Sequence, residues 1–436
     1  MRELHIGLRF SSLKFALFTL SALFILSGCV SNGGYSKTPW TPKEHTNVKP
    51  AEETPSELSA NAVDKFELEN AQAMAQGDNI PPVKVAILLP MSGQHIKLGH
   101  SMLNAAQLAL FDLGFDNFEL LPKDTLGTPD GAQKAARAAI RDGAQLVLGP
   151  VFSASVKSAR PIVQGAGLNM VPFSTDWTLA NNKTFMIGFL PFDQIERVTS
   201  YASSHGLTRI GVLSPQDNYG DAVVSAYSKI ARHTGTQNTH VQRFAPQGND
   251  LSLMVRKFSD YDQRKATGNM NNAPFDAVLL PVGGPLARQV GSFLNHYDMP
   301  PSHVRRLGTG LMDDTTLATD KTLDGTWFAA PDPALRRKFE TKYKQTYFET
   351  PPRIASLAYD ATALSIILAR MSLQNGGALD YSHRAITNPN GFAGVDGIFR
   401  FRPDGISERG LAVLEFNRGR IKVIDKPPRT FQNSAY

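Results

Sequence analysis

Residues 85–93 read VAILLPMSG, and residues 99–110 read GHSMLNAAQLAL. The first stretch is a short apolar run that ends in a Pro-Met-Ser-Gly loop. From the second stretch to Leu113, apolar side chains recur at helical spacing, at Met102, Leu103, Ala106, Leu110 and Leu113. A fully apolar strand, a glycine-containing loop and an amphipathic helix are the repeating unit of proteins that alternate strands and helices.

The same unit recurs along most of the chain. The predicted strands are Val83–Leu89, Phe118–Leu121, Leu146–Leu148, Asn169–Val171, Arg209–Leu213, His240–Phe244, Ala277–Leu280, Val304–Gly308 and Thr326–Ala329. Predicted helices between and after them include His100–Leu113, Gly131–Asp142, Ser155–Gly165, Gly220–His233, Pro285–His296, Pro333–Phe348 and Ile354–Leu373. Short apolar strands separated by helices predict an α/β protein whose parallel sheets are covered on both faces.

About nine strands are too many for one comfortable sheet, so we expect two lobes. Residues 81–188 form the first part of lobe 1, 189–328 form lobe 2, and 329–396 return to lobe 1. Residues 397–425 cross again and end in a hairpin of lobe 2, and 426–436 are a tail. Phe185–Phe192 and Thr326–Pro331 look like extended crossovers, which makes about three connections between the lobes.

Composition excludes several classes of protein. The 436 residues carry a formal net charge of +6, too mild and too scattered for a dedicated nucleic-acid binder. A single cysteine can form neither an internal disulfide nor a four-cysteine zinc site, and no histidine pair has metal-ligand spacing. We find no HExxH, G-x-S-x-G or P-loop motif, so we expect neither an enzyme nor a cofactor.

The N-terminus resembles a bacterial lipoprotein signal. A net-basic start precedes the apolar run of residues 15–26, which is about half of the roughly 20 residues that span a bilayer. Leu26-Ser27-Gly28-Cys29 then resembles a lipobox, which implies a signal peptide over residues 1–28 and lipidation of Cys29. Residues 29–80 are rich in Ser, Asn, Thr and Pro and predict a flexible tether. By the family's sorting rule, Val30 favours the outer membrane over the inner one, so we expect a periplasmic, lipid-anchored protein.

The order of several motifs carries a family resemblance. VAILLPMSG is followed by QLVLGPV at 145–151, VLSPQDNYGD at 212–221, LAYDA at 357–361 and GVDGIFRFRPDG at 394–405. This set resembles the type I periplasmic-binding-protein fold, as in the leucine/isoleucine/valine-binding proteins, over about residues 81–425. ILLPMSG and LGPV are most similar to the penicillin-binding-protein activator lipoproteins, which stimulate a peptidoglycan synthase.

Candidate ligand residues of lobe 1 follow the strands, where helix N-termini attract anions. They are Ser92 and Gln94 after the first strand, Gly149, Pro150 and Ser153 after the third, and Ser174, Thr175 and Asp176 after the fourth. The resemblance implies that Ser153 and the Ser174–Thr175 pair would hold a ligand carboxylate. The alternative for Ser, Thr and Asp at these positions is helix N-capping.

Three further residues are candidates in lobe 2. Asn218 and Tyr219 match a loop that often supplies an aromatic wall, although an ordinary Asn-Tyr-Gly turn is the alternative. The resemblance implies that Asp313 pairs with a ligand ammonium; Asp314 or a plain surface turn remain alternatives. The loop at 281–284 reads PVGG and offers no side-chain hydrogen bond, which departs from the amino-acid binders.

Two functions follow as hypotheses. The first is a partner-binding regulator that engages a penicillin-binding protein, and the second is a solute receptor that delivers a small polar ligand to an ABC permease. The PVGG loop favours the first. We interpret the basic runs at 305–306 and 336–338 as solvated faces, or alternatively as contacts with a synthase or with anionic murein.

Overall fold

A computed structural model describes residues 81–374 and 377–431. Its strands form two large sheets and one small sheet. The proposed signal peptide, Cys29, the tether through residue 80 and the last five residues of the tail lie outside the described residues. Within the described ranges, no helix has the length and apolar character needed to cross a bilayer.

The first sheet has four strands in the order β2-β1-β3-β4, and every neighbouring pair is parallel. The strands are β1 Val83–Leu89, β2 Phe118–Asp124, β3 Leu146–Leu148 and β4 Met170–Val171. Because the strands are parallel, their carboxyl ends meet at one edge of the sheet, and the loops that hold most of the lobe 1 candidates begin there.

The second sheet has seven strands in the order β14-β13-β9-β8-β7-β5-β6. Its strands are β5 Arg209–Pro215, β6 Gln237–Phe244, β7 Ala277–Leu280, β8 Arg305–Gly308, β9 Trp327–Ala330, β13 Ala412–Asn417 and β14 Arg420–Asp425. The strands from β5 to β9 pair in parallel, whereas β13 and β14 add an antiparallel hairpin at the edge. The sheet is therefore mixed, because β13 pairs antiparallel with β9.

Helices cover both faces of the two sheets. In the described part they are α1 Ile96–Leu113, α2 Pro129–Arg141, α3 Ser153–Gly165, α4 Pro191–Ser204, α5 Asn218–Ile230, α6 Leu251–Phe258, α7 Tyr261–Ala266, α8 Gly284–His296, α9 Pro333–Tyr347, α10 Ala355–Leu373 and α11 His383–Ile386. Alternate residues of β1 enter two different cores. Val85 and Ile87 pack with α1 and α10, whereas Ala86 and Leu88 pack with α2 and α3.

Three connections join the two sheets. The first runs through Ile187–Leu190 into α4, the second leads from β9 to α9, and the third leads from β12 to β13. β12, Ser407–Arg409, belongs to a small antiparallel sheet with β10, Phe392–Gly394, and β11, Gly397–Phe401. Phe399 and Phe401 of this small sheet are buried in the core that α1 and α10 share.

Glycines allow three helices to begin directly against the preceding loop. A Cβ at Gly99, Gly131 or Gly220 would stand 2.1 Å from a backbone carbonyl oxygen of Pro90, Thr125 or Pro215, respectively. Only glycine fits such a close approach, because the obstructing atom belongs to the backbone and cannot rotate away. The glycine in each unit therefore sets the distance between a strand end and the following helix.

The predicted α/β class is confirmed, with differences at the boundaries. β2 and β5 run further than expected because Pro122 and Pro215 continue the strand. The crossover predicted at 185–192 ends at Leu190, because α4 begins with Pro191 at the first helical position, where proline is favoured. The sequence patterns also missed β10, β12, α4, α6, α7 and α11.

Replacing Gly99 with valine should destabilise the fold strongly. The new side chain would collide with the Pro90 carbonyl, so we expect the free energy of unfolding to fall by about 2 kcal/mol or more. Gly165→Ala is the control, because a Cβ at Gly165, the last residue of α3, meets no other atom within 4 Å. Urea unfolding measures both changes, and equal midpoints for the two variants would contradict the close-approach argument.

Candidate functional site

The loop after β1 is bonded to the end of β2. Ser92 donates a hydrogen bond of 2.5 Å from Oγ to Asp124 Oδ2, and the Met91 amide donates to Asp124 Oδ1 at 2.9 Å. Burial raises the pKa of Asp124, but these bonds and one from the Leu126 amide outweigh it and lower the pKa below its usual value. Ser92 is thus already engaged, whereas Gln94 is exposed in the short 3-10 helix that follows.

The loops after β3 and β4 lie side by side. The Gly149 amide donates to Val171 O at 2.8 Å, and the Phe173 amide donates to Pro150 O at 3.1 Å. Ser153 is the first residue of α3 and is exposed, and the N-cap position before it is held by Phe152, which makes no side-chain capping hydrogen bond. The N-capping alternative therefore does not apply to Ser153, and its hydroxyl is available beside the free amides of the helix.

Of the three candidate residues in the loop after β4, two make hydrogen bonds within the loop and one is exposed without a side-chain hydrogen bond. Ser174 is buried, and its Oγ accepts a hydrogen bond from the Asp176 amide at 3.1 Å. Asp176 caps the short 3-10 helix Trp177–Leu179 by accepting from the Thr178 amide. Thr175 is exposed and makes no side-chain hydrogen bond within the described residues. Capping thus explains Asp176, and Thr175 joins Ser153 as an available hydroxyl.

In the second sheet, Tyr219 links two loops. Its hydroxyl donates to Thr309 Oγ1 at 3.0 Å, which ties the N-terminus of α5 to the loop after β8. Burial raises the pKa of Tyr219 to about 12, although the bond to Thr309 acts in the opposite direction. Asn218 is exposed, and the capping residue of α5 is Asp217, which accepts from the Gly220 amide at 2.7 Å.

Asp313 is bound by arginines of the chain itself. Its Oδ2 contacts Nη1 of Arg336 on α9 and lies 3.6 Å from Nε of Arg353, which precedes α10. The Asp313 side chain is 3% exposed, and Oδ1 has no hydrogen-bond partner. The alternative residue Asp314 accepts a hydrogen bond from the Thr316 amide. An arginine pair therefore takes the contact that the resemblance implies for a ligand ammonium.

The structure corrects the interpretation for Arg336 and Arg306, whereas Arg337 and Lys338 are exposed as predicted. Arg336 is 15% exposed and pairs with Asp313, so it is not a solvated residue. Arg306 is fully buried, and its guanidinium donates to the carbonyls of Val304 and Met299. The sequence carried no signal for these contacts, because the partners lie on other segments or are backbone carbonyls.

A buried network of charges joins the crossovers and was also missed. Arg409 donates from Nη2 to Ile187 O at 2.8 Å, and its Nη1 lies 3.6 Å from Asp360 Oδ2. Arg353 donates to the fully buried Asp396 at 3.0 Å. Burial raises the pKa of Asp360 to about 7. Burial also acts to raise the pKa of Asp396, but Arg353, Arg409 and Ser356 together outweigh it and lower that pKa.

The loop after β7 offers no polar side chain, as its sequence indicates. Pro281 and Val282 are buried, and Gly283 precedes α8. A Cβ at Gly283 would lie 2.4 Å from Leu311 O, so the loop after β8 packs directly on this backbone. Over the ranges that the structure describes, no group of three or more His, Cys, Asp or Glu side chains could hold a metal ion.

Comparison with known proteins shows which family has this architecture. The family model described as "Periplasmic binding protein" matches residues 82–420. The chain belongs to the periplasmic binding protein family. This membership implies a periplasmic location. No curated protein matches the chain.

Solved structures share the fold of this binding protein. A putative branched-chain amino acid ABC transporter protein from Rhodospirillum rubrum is 18% identical, with a TM-score of 0.66, and covers 79% of this chain and 100% of its own. The leucine-binding protein LivK from Thermotoga maritima is 20% identical, with a TM-score of 0.53, and covers 79% and 98%. A solute-binding protein of an ABC transporter from R. palustris, in complex with benzoate, is 16% identical, with a TM-score of 0.53, and covers 79% and 97%. These likenesses confirm the two-lobed type I architecture.

The stability of the binding protein should depend on the ionisation of Asp193, which follows the first crossover. Its Oδ2 accepts from the Arg409 amide at 2.8 Å, and burial, with smaller effects from Glu408 and Glu196, raises its pKa to about 7. Between pH 4 and pH 7 the unfolded chain therefore loses this proton before the folded chain does, so Asp193 lowers the free energy of unfolding as pH rises.

Asp193→Asn should remove that penalty. We expect the variant to gain about 2 kcal/mol relative to the unsubstituted protein between about pH 5 and pH 8, measured by urea unfolding. Asp142→Asn is the control, because the Lys123 side chain lowers the pKa of the exposed Asp142 and keeps it ionised throughout that range. A difference between Asp193→Asn and the unsubstituted protein that is constant over this pH range would contradict the assignment.

Proposed function

We propose that this chain is the solute-binding lipoprotein of an ABC transporter, and that its two lobes close on a small carboxylate ligand. The observation that supports this most is the pair of available hydroxyls, Ser153 and Thr175, on adjacent loops at the carboxyl ends of β3 and β4. The amides that begin α3 add donors for an anion there. Transport proteins for leucine and benzoate share the fold, which supports the same class of ligand.

The contacts of Asp313 reduce the range of possible ligand classes. An α-amino acid needs an acceptor for its ammonium group, and the carboxylate implied for that role is bound by Arg336 and Arg353. Breaking these pairs would leave Arg336 with only Glu340 and Arg353 with only Asp396 as an acidic partner, and removing a partner from a partly buried charge is costly. We therefore propose a carboxylate ligand without an ammonium group in preference to an amino acid.

A thermal-shift screen tests the proposed ligand class. Benzoate and aliphatic carboxylates should raise the melting temperature more than leucine does, since a ligand at about 100 times its dissociation constant adds about 2.7 kcal/mol. The double variant Ser153→Ala/Thr175→Ala should lose the shift, because both proposed hydroxyl donors are removed.

Thr346→Ala is the matched control for that screen. Its hydroxyl bonds only to the Lys342 carbonyl on the exposed face of α9, away from the strand ends. This variant should keep the full shift. The absence of a shift with every carboxylate, or an equal shift in the double variant, would contradict the proposed receptor function.

A second candidate function is regulation of a peptidoglycan synthase. The ILLPMSG and LGPV segments resemble the activator lipoproteins, and the loop at 281–284 lacks the polar side chain that an amino-acid receptor uses. In this case the two lobes would act through contact with a penicillin-binding protein. Affinity capture from solubilised envelope should then recover such a protein, and its absence would leave the transport function.

Both functions include a lipid anchor at Cys29, and Val30 favours the outer membrane for it. Each buried acyl CH₂ contributes about 0.8 kcal/mol, and two or three chains give firm attachment. Cys29→Ser should abolish incorporation of labelled palmitate and release the protein from the membrane fraction. Labelling that persists in Cys29→Ser would contradict anchoring at this residue.

A further inference from the structure

A cavity of about 700 Å³ lies beside the crossovers, and Trp177, which lines it, directly follows the loop after β4. It is bounded by α4, α5, the β11–β12 hairpin and the Trp177 segment, and we call it the hinge cavity. None of the eleven candidate ligand residues discussed above lines it. Its volume lies within the range of about 300–1,000 Å³ that is typical of small-molecule sites.

One wall of the hinge cavity is apolar and aromatic. Trp177 and Phe192 meet edge to face, with ring centroids 5.1 Å apart. Ile406, Ala222 and Ala226 extend this wall. Such a surface suits a flat apolar group, and the face of an indole also attracts a cation.

The hinge cavity is also lined by carboxylates. Asp193, Glu196 and Glu408 line it and also line an adjoining hollow of about 380 Å³, so they stand between two open spaces. Glu408 is paired with Arg400 at 2.6 Å, and one oxygen of Asp193 accepts from the Arg409 amide. The Glu196 carboxylate has neither a hydrogen bond nor an ion pair within the part of the chain that the structure describes, although the Glu196 backbone carbonyl accepts from Thr199 Oγ1.

The basic residues that line the hinge cavity do not pair with the Glu196 carboxylate. Arg400 is taken by Glu408, and Arg402 pairs with Asp404 in the hairpin turn. Lys229 is exposed on α5. Burial raises the pKa of Glu196, Glu408 adds to that effect, and His233 opposes it, as expected for a carboxylate that lacks a close cationic partner.

The two lobes contribute different walls to the hinge cavity. Trp177 and Ile406 pack against the core of the first sheet, whereas Ala226 and Ile230 pack in the core of the second. Phe192 contacts both cores. An occupant would therefore contact both lobes at once, next to the first crossover.

We propose that the hinge cavity is a second ligand site, for an organic cation with a flat apolar body. The apolar group packs on Trp177 and Phe192, and the ammonium group contacts Glu196 and Asp193. Because the occupant contacts both lobes, it couples its own binding to their arrangement. This proposal is independent of the strand-end site and of its carboxylate ligand.

Three probes with one aromatic body test the charge preference. They are phenethylamine, phenethyl alcohol and phenylacetate, titrated calorimetrically into the full-length Ser153→Ala/Thr175→Ala variant, which lacks the two hydroxyl donors of the carboxylate site proposed above. Phenethylamine should bind saturably and at least about tenfold more tightly than the alcohol, with phenylacetate weakest. No saturable heat with phenethylamine, or equal affinity for amine and acid, would overturn the proposal.

Glu196→Gln isolates the charge, since it keeps the size of the side chain. The dissociation constant for phenethylamine should rise at least about tenfold. Glu119→Gln, an exposed glutamate on β2 outside the cavity, should leave it unchanged. Ser225→Trp is a second test, because Ser225 is an exposed residue of α5 that lines the cavity, and a bulky side chain there should block binding without entering the core.

Location is settled by two further measurements. Phenethylamine should change the fluorescence of Trp177, and Trp177→Phe should lose that signal while calorimetric binding persists. Ser153→Ala/Thr175→Ala should retain phenethylamine binding. Loss of binding in this double variant, or an unchanged affinity in Glu196→Gln, would place the amine elsewhere and overturn the proposal.

Discussion

The arrangement of the two lobes depends on one buried guanidinium. Arg409 is 7% exposed and lies where the third connection begins. Its side chain donates to Ile187 O of the first connection and approaches Asp360 of α10, while its backbone amide donates to Asp193 of α4. The guanidinium also stands over Phe189, 5.0 Å from the ring centroid. A charge buried this deeply is tolerated only when it is paired, so these segments must stay together.

That constraint explains why the two proposed ligand sites lie at the strand ends and at the crossovers. At the strand ends, the close approach of glycine-containing helices positions short loops. In these loops the hydroxyls of Ser153 and Thr175 are not used in hydrogen bonds that stabilise the fold. At the crossovers, segments from both lobes meet at angles and leave the hinge cavity between them. The first place suits an anion beside helix N-termini, whereas the unpartnered Glu196 makes the second suitable for a cation. Opposite charge preferences let each site select a different ligand, and the arrangement of the two lobes links their occupancy.

Two arginines from lobe 1 segments bind a carboxylate of lobe 2, which gives that carboxylate a structural role. Asp313 follows β8, but its partners Arg336 and Arg353 belong to α9 and the start of α10, which pack with the first sheet. The pair therefore links the two lobes without a ligand. Sequence similarity alone assigned Asp313 to a ligand ammonium, because the motif around it contains no sign of a partner 23 residues further along the chain.

The sequence by itself determined the fold class, most strand positions and the order of the units, because hydrophobic periodicity and glycine placement are local properties. β1, β3 and β7 begin and end where the apolar runs do. Only the tertiary structure decided which polar side chains are available. Ser153 and Asp176 are equally good capping residues by type, yet only Asp176 caps, since the backbone path of each loop sets the distance to the amides. The burial of Arg306 and the hinge cavity arise where distant segments meet, and a local pattern carries no information about such contacts.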